Sequence, residues 1–119
     1  MDFRVAVVIP LLIGALAAPA AEAADAVAGR KIAVERCAKC HGPGGQGDGA
    51  GLQKLDVDVK PVDWTDRGPM AKLTDDHIAT IIRDGGKAVG KSKVMPTYRD
   101  KLSDAQIADL VAYIRSLAR

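Results

Sequence analysis

The pattern of apolar and polar positions marks three helical segments along this chain, and no stretch alternates as a half-buried strand would. The clearest run is the last: Ile107, Leu110, Val111, Ile114 and Leu117 share one face, with Tyr113 at its edge. Ser103-Asp104-Ala105-Gln106 ahead of it reads as a capping box, and Leu102 with Ile107 as a hydrophobic staple. A second helix is expected after Thr74, its N-cap, with Asp75 and Asp76 in the first turn, where the helix dipole favours anions. Ile78, Ile81 and Ile82 form its buried face, and Gly85-Gly86 ends it with left-handed backbone. The first helix is expected from Val27 to Cys40, capped by Asp25. Gly29, Ala33 and Cys37 recur there every four residues, a narrow stripe of small side chains that another helix can approach closely. Between the helices lie "GPGGQGDGAG" (42–51), a segment around Pro61 and Trp64, and "GGKAVGKSKVMP" (85–96). Loops of this length in a small domain usually carry function.

Residues 1–23 read differently. Arg4 precedes the apolar run "VAVVIPLLIGALAAPAA", and Ala21-Glu22-Ala23 follows the small-x-small rule of a signal peptidase site. The expectation is a cleaved signal peptide over 1–23 and a single domain over 24–119, exported to the periplasm. Retention of the leader as a membrane anchor is the alternative; Pro10 and Pro19 weaken it as a spanning helix.

Charge changes this picture little. The chain of 119 residues carries a net charge of +2, and no basic run is interleaved with aromatics, so nothing points to nucleic acid. The aromatic content matters more. Beyond the leader only Trp64, Tyr98 and Tyr113 remain, in a domain already short of area to bury. A large apolar cofactor at the centre would supply what the side chains do not.

The candidate chemistry sits at "CAKCHGPGGQG" (37–47), which holds both cysteines of the chain. Cys37-Ala38-Lys39-Cys40-His41 has the C-x-x-C-H spacing of a c-type haem attachment site. Near a helix end, residues three apart project to one side, so two thiols can each form a thioether with a haem vinyl group. His41 then offers its imidazole to the iron. Three other readings compete: a thiol–disulfide redox centre, which belongs with strands; half of a zinc site, for which only His77 remains among Cys and His; and a disulfide, which would staple only a short loop. Gly42, Gly44 and Gly47 also match G-x-G-x-x-G, but they follow a helix and open a loop, the reverse of a dinucleotide site. They are expected instead to let backbone lie flat against the cofactor. For the second axial ligand the candidates are Met95, Met70 and His77. Met95 is favoured, because Pro96 stiffens its backbone and its loop can reach the face opposite His41.

With these parts in this order, residues 25–118 resemble class I cytochromes c, in particular small bacterial ones. The resemblance rests on "CAKCHG", the glycine-rich loop, "MP" and "LSDAQIADLVAYIRSL". It implies an all-α cytochrome c fold, with three main helices and long loops wrapped around one covalent haem. It implies that Cys37 and Cys40 carry the thioethers and that His41 and Met95 are the axial ligands. It further implies a monomeric electron carrier, not an enzyme, whose partners are redox proteins with acidic docking surfaces; the alternative is a membrane-anchored subunit of a larger oxidoreductase. Lys39, Lys87, Lys91, Lys93 and Lys101 are candidates for a basic rim. By the same analogy, Gly29 and Tyr113 occupy the family's helix crossing, and Trp64 or Arg67 is placed to touch a haem propionate. Two positions depart from the family: Ala33 stands where an aromatic is common, and Ala50 where a proline carbonyl usually orients the histidine.

Overall fold

The structure, a computed structural model, describes residues 1–11, 14–15 and 23–119. Ala21 and Glu22 of the expected cleavage site lie outside the described residues. Residues 1–11 form no helix or strand and leave Phe3, Val5, Val8 and Ile9 exposed. Among the described residues no helix is long and apolar enough to cross a membrane.

The domain is helical, with no strand among the described residues: α1 (Ala26–Arg36), α2 (Ala38–His41), α3 (Arg67–Ala71), α4 (Asp75–Asp84) and α5 (Asp104–Leu117). The three expected helices are α1 with α2, α4, and α5. Their caps are made as the side chains dictate. Asp25 accepts from the N–H groups of Val27 and Ala28, and Thr74 from that of His77. Ser103 and Gln106 complete the reciprocal capping box. The first helix, expected unbroken to Cys40, instead breaks at Cys37, and α2 is one further turn held by His41 N–H donating to the Cys37 carbonyl at 2.9 Å. Gly85 ends α4 with the expected positive φ of 82°, but its ψ of 164° is extended rather than left-handed helical. Helix α3 was not anticipated. Asp66 caps it by accepting from Gly68 N–H, but Gly68-Pro69 reads as a turn, and five residues are too few to show a period.

The core lies between α5 and the helices across it. Leu110, Ile107 and Ile114 are almost wholly buried, and Tyr113, expected at the edge of the stripe, is buried with them. Burying each large aliphatic side chain of this kind contributes about 1.5–3 kcal/mol. Ala33, Trp64, Met70, Ile78 and Ile82 complete the cluster.

The crossing of α1 with α5 is close because Gly29 faces backbone. A Cβ on Gly29 would lie 2.0 Å from the Asp109 carbonyl oxygen. Asp109 also binds the start of α1, its carboxylate accepting from Asp25 N–H at 2.7 Å. A second tie runs from α5 to α3 and α4. The Arg115 guanidinium donates to the carbonyls of Met70 (2.8 Å) and Leu73 and to the Asp75 carboxylate (2.6 Å). Its fork thereby adds a donor to the Met70 carbonyl, which also accepts from Leu73 N–H at 3.2 Å, and reaches the Leu73 carbonyl in the link between α3 and α4.

Gly29→Ala drives a methyl group into the Asp109 carbonyl. The expected cost is about 1–3 kcal/mol, as for other overpacked sites. Thermal unfolding of the cofactor-loaded protein checks this, with a midpoint lowered by about 4–8 °C per kcal/mol.

Candidate functional site

Beside the helical core lies a cavity of about 540 Å³, within the range of about 300–1,000 Å³ usual for small-molecule and cofactor sites. Cys37, Cys40 and His41 form one wall, and Val94, Met95, Pro96 and Tyr98 line it from the loop before α5. Leu52, Val57, Val59, Pro61 and Val62 add apolar surface from the long loop after α2; Leu73 and Ile81 add it from the start and face of α4.

The break at Cys37 and the single turn of α2 place both thiols and the imidazole at this cavity. The glycines that follow do not line it. A Cβ on Gly49 would lie 2.5 Å from the Cys40 carbonyl, and Gly49 N–H donates to that same oxygen at 3.0 Å; Gly47 N–H donates to the His41 carbonyl at 2.8 Å. The glycine-rich loop therefore grips the back of the C-x-x-C-H turn, rather than lying flat against a cofactor as its composition suggested.

Met95 is placed by hydrogen bonds at both ends of its loop. Gly86 N–H donates to the Met95 carbonyl at 3.3 Å, Tyr98 N–H to Ile82 at 3.1 Å and Arg99 N–H to Arg83 at 3.1 Å. These ties fasten residues 95–99 to the end of α4. The Tyr98 hydroxyl donates to the Arg36 carbonyl at 3.1 Å, joining this wall to the turn that carries the cysteines. Across the loop, Ser92 donates to the Asp58 carboxylate at 2.9 Å, which holds that carboxyl below its ordinary range.

Burial sets the chemistry of the motif. It pushes the Cys37 thiol up to about 11, against a smaller opposing effect of Arg36, so the thiol is protonated at neutral pH. Cys37 and Cys40 form no disulfide, so the disulfide reading of the pair is not supported. Burial also lowers His41 to about 4, which leaves a neutral imidazole able to ligate a metal. His41 Nδ1 is buried without a hydrogen-bond partner among the described residues. The ring stacks on Trp64, with centroids 4.5 Å apart and planes inclined by 21°.

The structure thus brings Cys37, Cys40, His41 and Met95 to one cavity. Met70 and His77 do not line it. Met70 is buried in the core, and His77 is half-buried in the first turn of α4. Neither Trp64 nor Arg67 lines the cavity: Trp64 lies behind His41, and Arg67 is exposed at the start of α3. Of the five lysines expected on the rim, Lys39 and Lys91 line it; Lys87, Lys93 and Lys101 do not, and Arg36, Lys60 and Lys72 stand there instead. Among the described residues no further Cys, His, Asp or Glu joins the motif as a cluster able to hold a metal, so the zinc reading lacks its ligands. Tyr98 and the Asp58–Ser92 pair were missed. Their partners lie 62 and 34 residues away in sequence, and only the aromatic three positions after Met95 marked the place.

The arrangement suits a large, flat, apolar group bonded through two thiols, with a nitrogen and a thioether available to a metal. Residues 26–118 match the family model for Cytochrome c. Among curated proteins, the chain is similar to the Cbb3-type cytochrome c oxidase subunit CcoP of Azospirillum sp. (strain B510): 32% identical over 104 residues, covering 82% of this chain and 30% of that protein. The CcoP subunit of Azospirillum brasilense is 32% identical over 99 residues, again with 30% of its length covered. The chain therefore spans under a third of the curated relatives it matches. Two solved structures share the fold. The KustC0563 c-type cytochrome is 25% identical, with a TM-score of 0.60, 76% of this chain and 98% of that one covered. A chain of the Kuenenia stuttgartiensis reducing HAO-like protein complex Kustc0457/Kustc0458 is 28% identical, with a TM-score of 0.61, 79% of this chain and 44% of that one covered.

Tyr98→Phe removes the tie between the two walls. The expected loss is about 0.5–1.5 kcal/mol, the net worth of one hydrogen bond. It is read as a lowered denaturant midpoint with an unchanged slope.

Proposed function

We propose that this chain, which belongs to the cytochrome c family, is a single-haem carrier that passes one electron at a time between redox proteins. Its cofactor is covalently bound haem c. When bound, haem c supplies one iron that gains and loses a single electron. We assign Cys37 and Cys40 as its two thioether attachments, His41 Nε2 as one axial ligand and Met95 Sδ as the other. The observation that carries this assignment is that these four residues line one apolar cavity, which excludes both Met70 and His77.

Each residue has a stated task in this reading. His41, neutral through burial, offers a lone pair without first losing a proton. Met95, a thioether, favours the reduced metal and so raises the reduction potential. The aliphatic walls keep water out, which favours the less charged state in the same direction. With His41 and Met95 both holding the iron, no position on it would be left for oxygen, which suits transfer rather than bond-making. Arg36, Lys39, Lys60, Lys72 and Lys91 surround the mouth with no acidic residue among its lining, a charge pattern suited to steering an acidic partner into place.

For residues 1–23 we propose an export signal and a periplasmic site of action for the remainder, a monomer. A second reading, a subunit of a larger oxidoreductase tethered by its retained leader, is favoured by the CcoP relatives and by the complex that holds one structural neighbour.

Met95→Ala is expected to abolish the weak far-red absorption band of methionine bound to ferric haem, whereas Met70→Ala leaves that band and lowers stability instead, by about 2–5 kcal/mol. An unchanged band in Met95→Ala would sink the ligand assignment. N-terminal sequencing of the exported protein separates the two settings: Ala24 as first residue supports the free carrier, and an intact leader supports the tethered subunit.

A further inference from the structure

We propose that Trp64 is the positioning residue for His41, fixing the plane of the imidazole by face-to-face stacking where a hydrogen-bond acceptor ordinarily does so. The inference rests on the reading of His41 as an axial ligand.

A metal-bound histidine usually donates its second ring N–H to a carbonyl, carboxylate or water, and that bond sets the ring's orientation. Here Nδ1 is buried and meets no acceptor among the described residues. What the ring does meet is the indole of Trp64, at 4.5 Å between centroids and 21° between planes, the near end of the range in which aromatic rings stack. Rotation of the imidazole about a bond to a metal would swing it off the indole face and lose that contact.

A platform must itself be fixed, and Trp64 is. It is buried within the core cluster, and its backbone N–H donates to the Gly45 carbonyl at 2.8 Å. Gly45 presses on the indole so closely that a Cβ there would lie 2.6 Å from Trp64 Cε3, and its φ of 76° also requires glycine. The next residue is tied on both sides: Thr65 N–H donates to the Asp63 carboxylate at 2.8 Å, and the Thr65 carbonyl accepts from Arg119 N–H at 3.1 Å. Trp64 does not line the cavity, so it acts through His41 rather than on the cofactor.

The test uses proton NMR of the haem-loaded protein in both oxidation states. In the ferric state the spread and order of the four haem methyl resonances report the orientations of the imidazole plane and the axial thioether together, and nuclear Overhauser contacts of the Met95 methyl group in the ferrous state show whether the thioether has moved. Trp64→Phe, which keeps a ring to stack on, should retain the wild-type order; Trp64→Leu should change it. A structural role alone would lower the unfolding midpoint of Trp64→Leu, and of a core control Ile107→Val, with the methyl order of both left as in the wild type. That result would overturn the inference. A measurement on the unaltered ferrous protein does not depend on any variant folding: the His41 ring protons should show nuclear Overhauser contacts to the indole protons of Trp64, and their absence would overturn the inference. A coupling from the Nδ1 proton to a backbone carbonyl would overturn the proposal. His41 resonances that show no paramagnetic shift in the ferric protein would sink the ligand reading, and the inference with it. Shifted His41 resonances with an unmoved methyl order in Trp64→Leu sink the inference alone.

Discussion

The apolar side chains of the loops face a cavity of about 540 Å³ rather than one another, and the rest of the structure holds that space open. A chain with three aromatics after residue 23 cannot close such a volume by itself. The surface around the cavity is stabilised only when an apolar group covers it. Cofactor and core are therefore not separable contributions here: haem c completes the interior that the helices begin. The helical core of Leu110, Ile107 and Ile114 supplies the rigid side, and the long loops supply the walls.

Loops make poor walls unless fastened, and each is fastened at the residue that matters. The glycine-rich loop bonds to the carbonyls of Cys40 and His41, so the attachment turn is held from behind. The loop carrying Met95 returns to the end of α4 through Gly86, Tyr98 and Arg99. The Tyr98 hydroxyl then joins the two walls at Arg36. In this way His41 on one wall and Met95 on the other are held mainly by main-chain contacts.

Helix α5 could be read from sequence almost residue by residue, because its period, cap and staple agree. So could the attachment motif, whose spacing is itself the chemistry. Pro96, a local stiffening signal, singled out Met95, and the structure brings Met95 to the same cavity as Cys37, Cys40 and His41. What escaped depended on distance or direction. The break at Cys37 leaves no mark in a run of helix-compatible residues, and α3 is hidden by Gly68-Pro69. The role of the glycines was misjudged because composition shows where backbone can approach closely but not what it approaches. The basic rim was half legible, since loops have no period to say which lysine faces the cavity. Ala50, where a proline carbonyl is common, raised the question of what steadies His41, but its stacking partner Trp64 lies 23 positions along the chain from His41 and nothing between them sets their spacing.

The contact of Asp25 and Gly29 with Asp109 joins residues up to 84 positions apart. Closing a chain loop grows more costly only with the logarithm of its length, about 0.6 kcal/mol for each doubling. The clasp between the first and last helices is therefore nearly indifferent to how many residues lie between them. Insertions or deletions in residues 55–61 leave it almost unchanged in strength, while they reshape the apolar wall that Val57, Val59 and Pro61 give the cavity. The geometry that fixes the fold and the segment that shapes this wall are free to diverge at different rates.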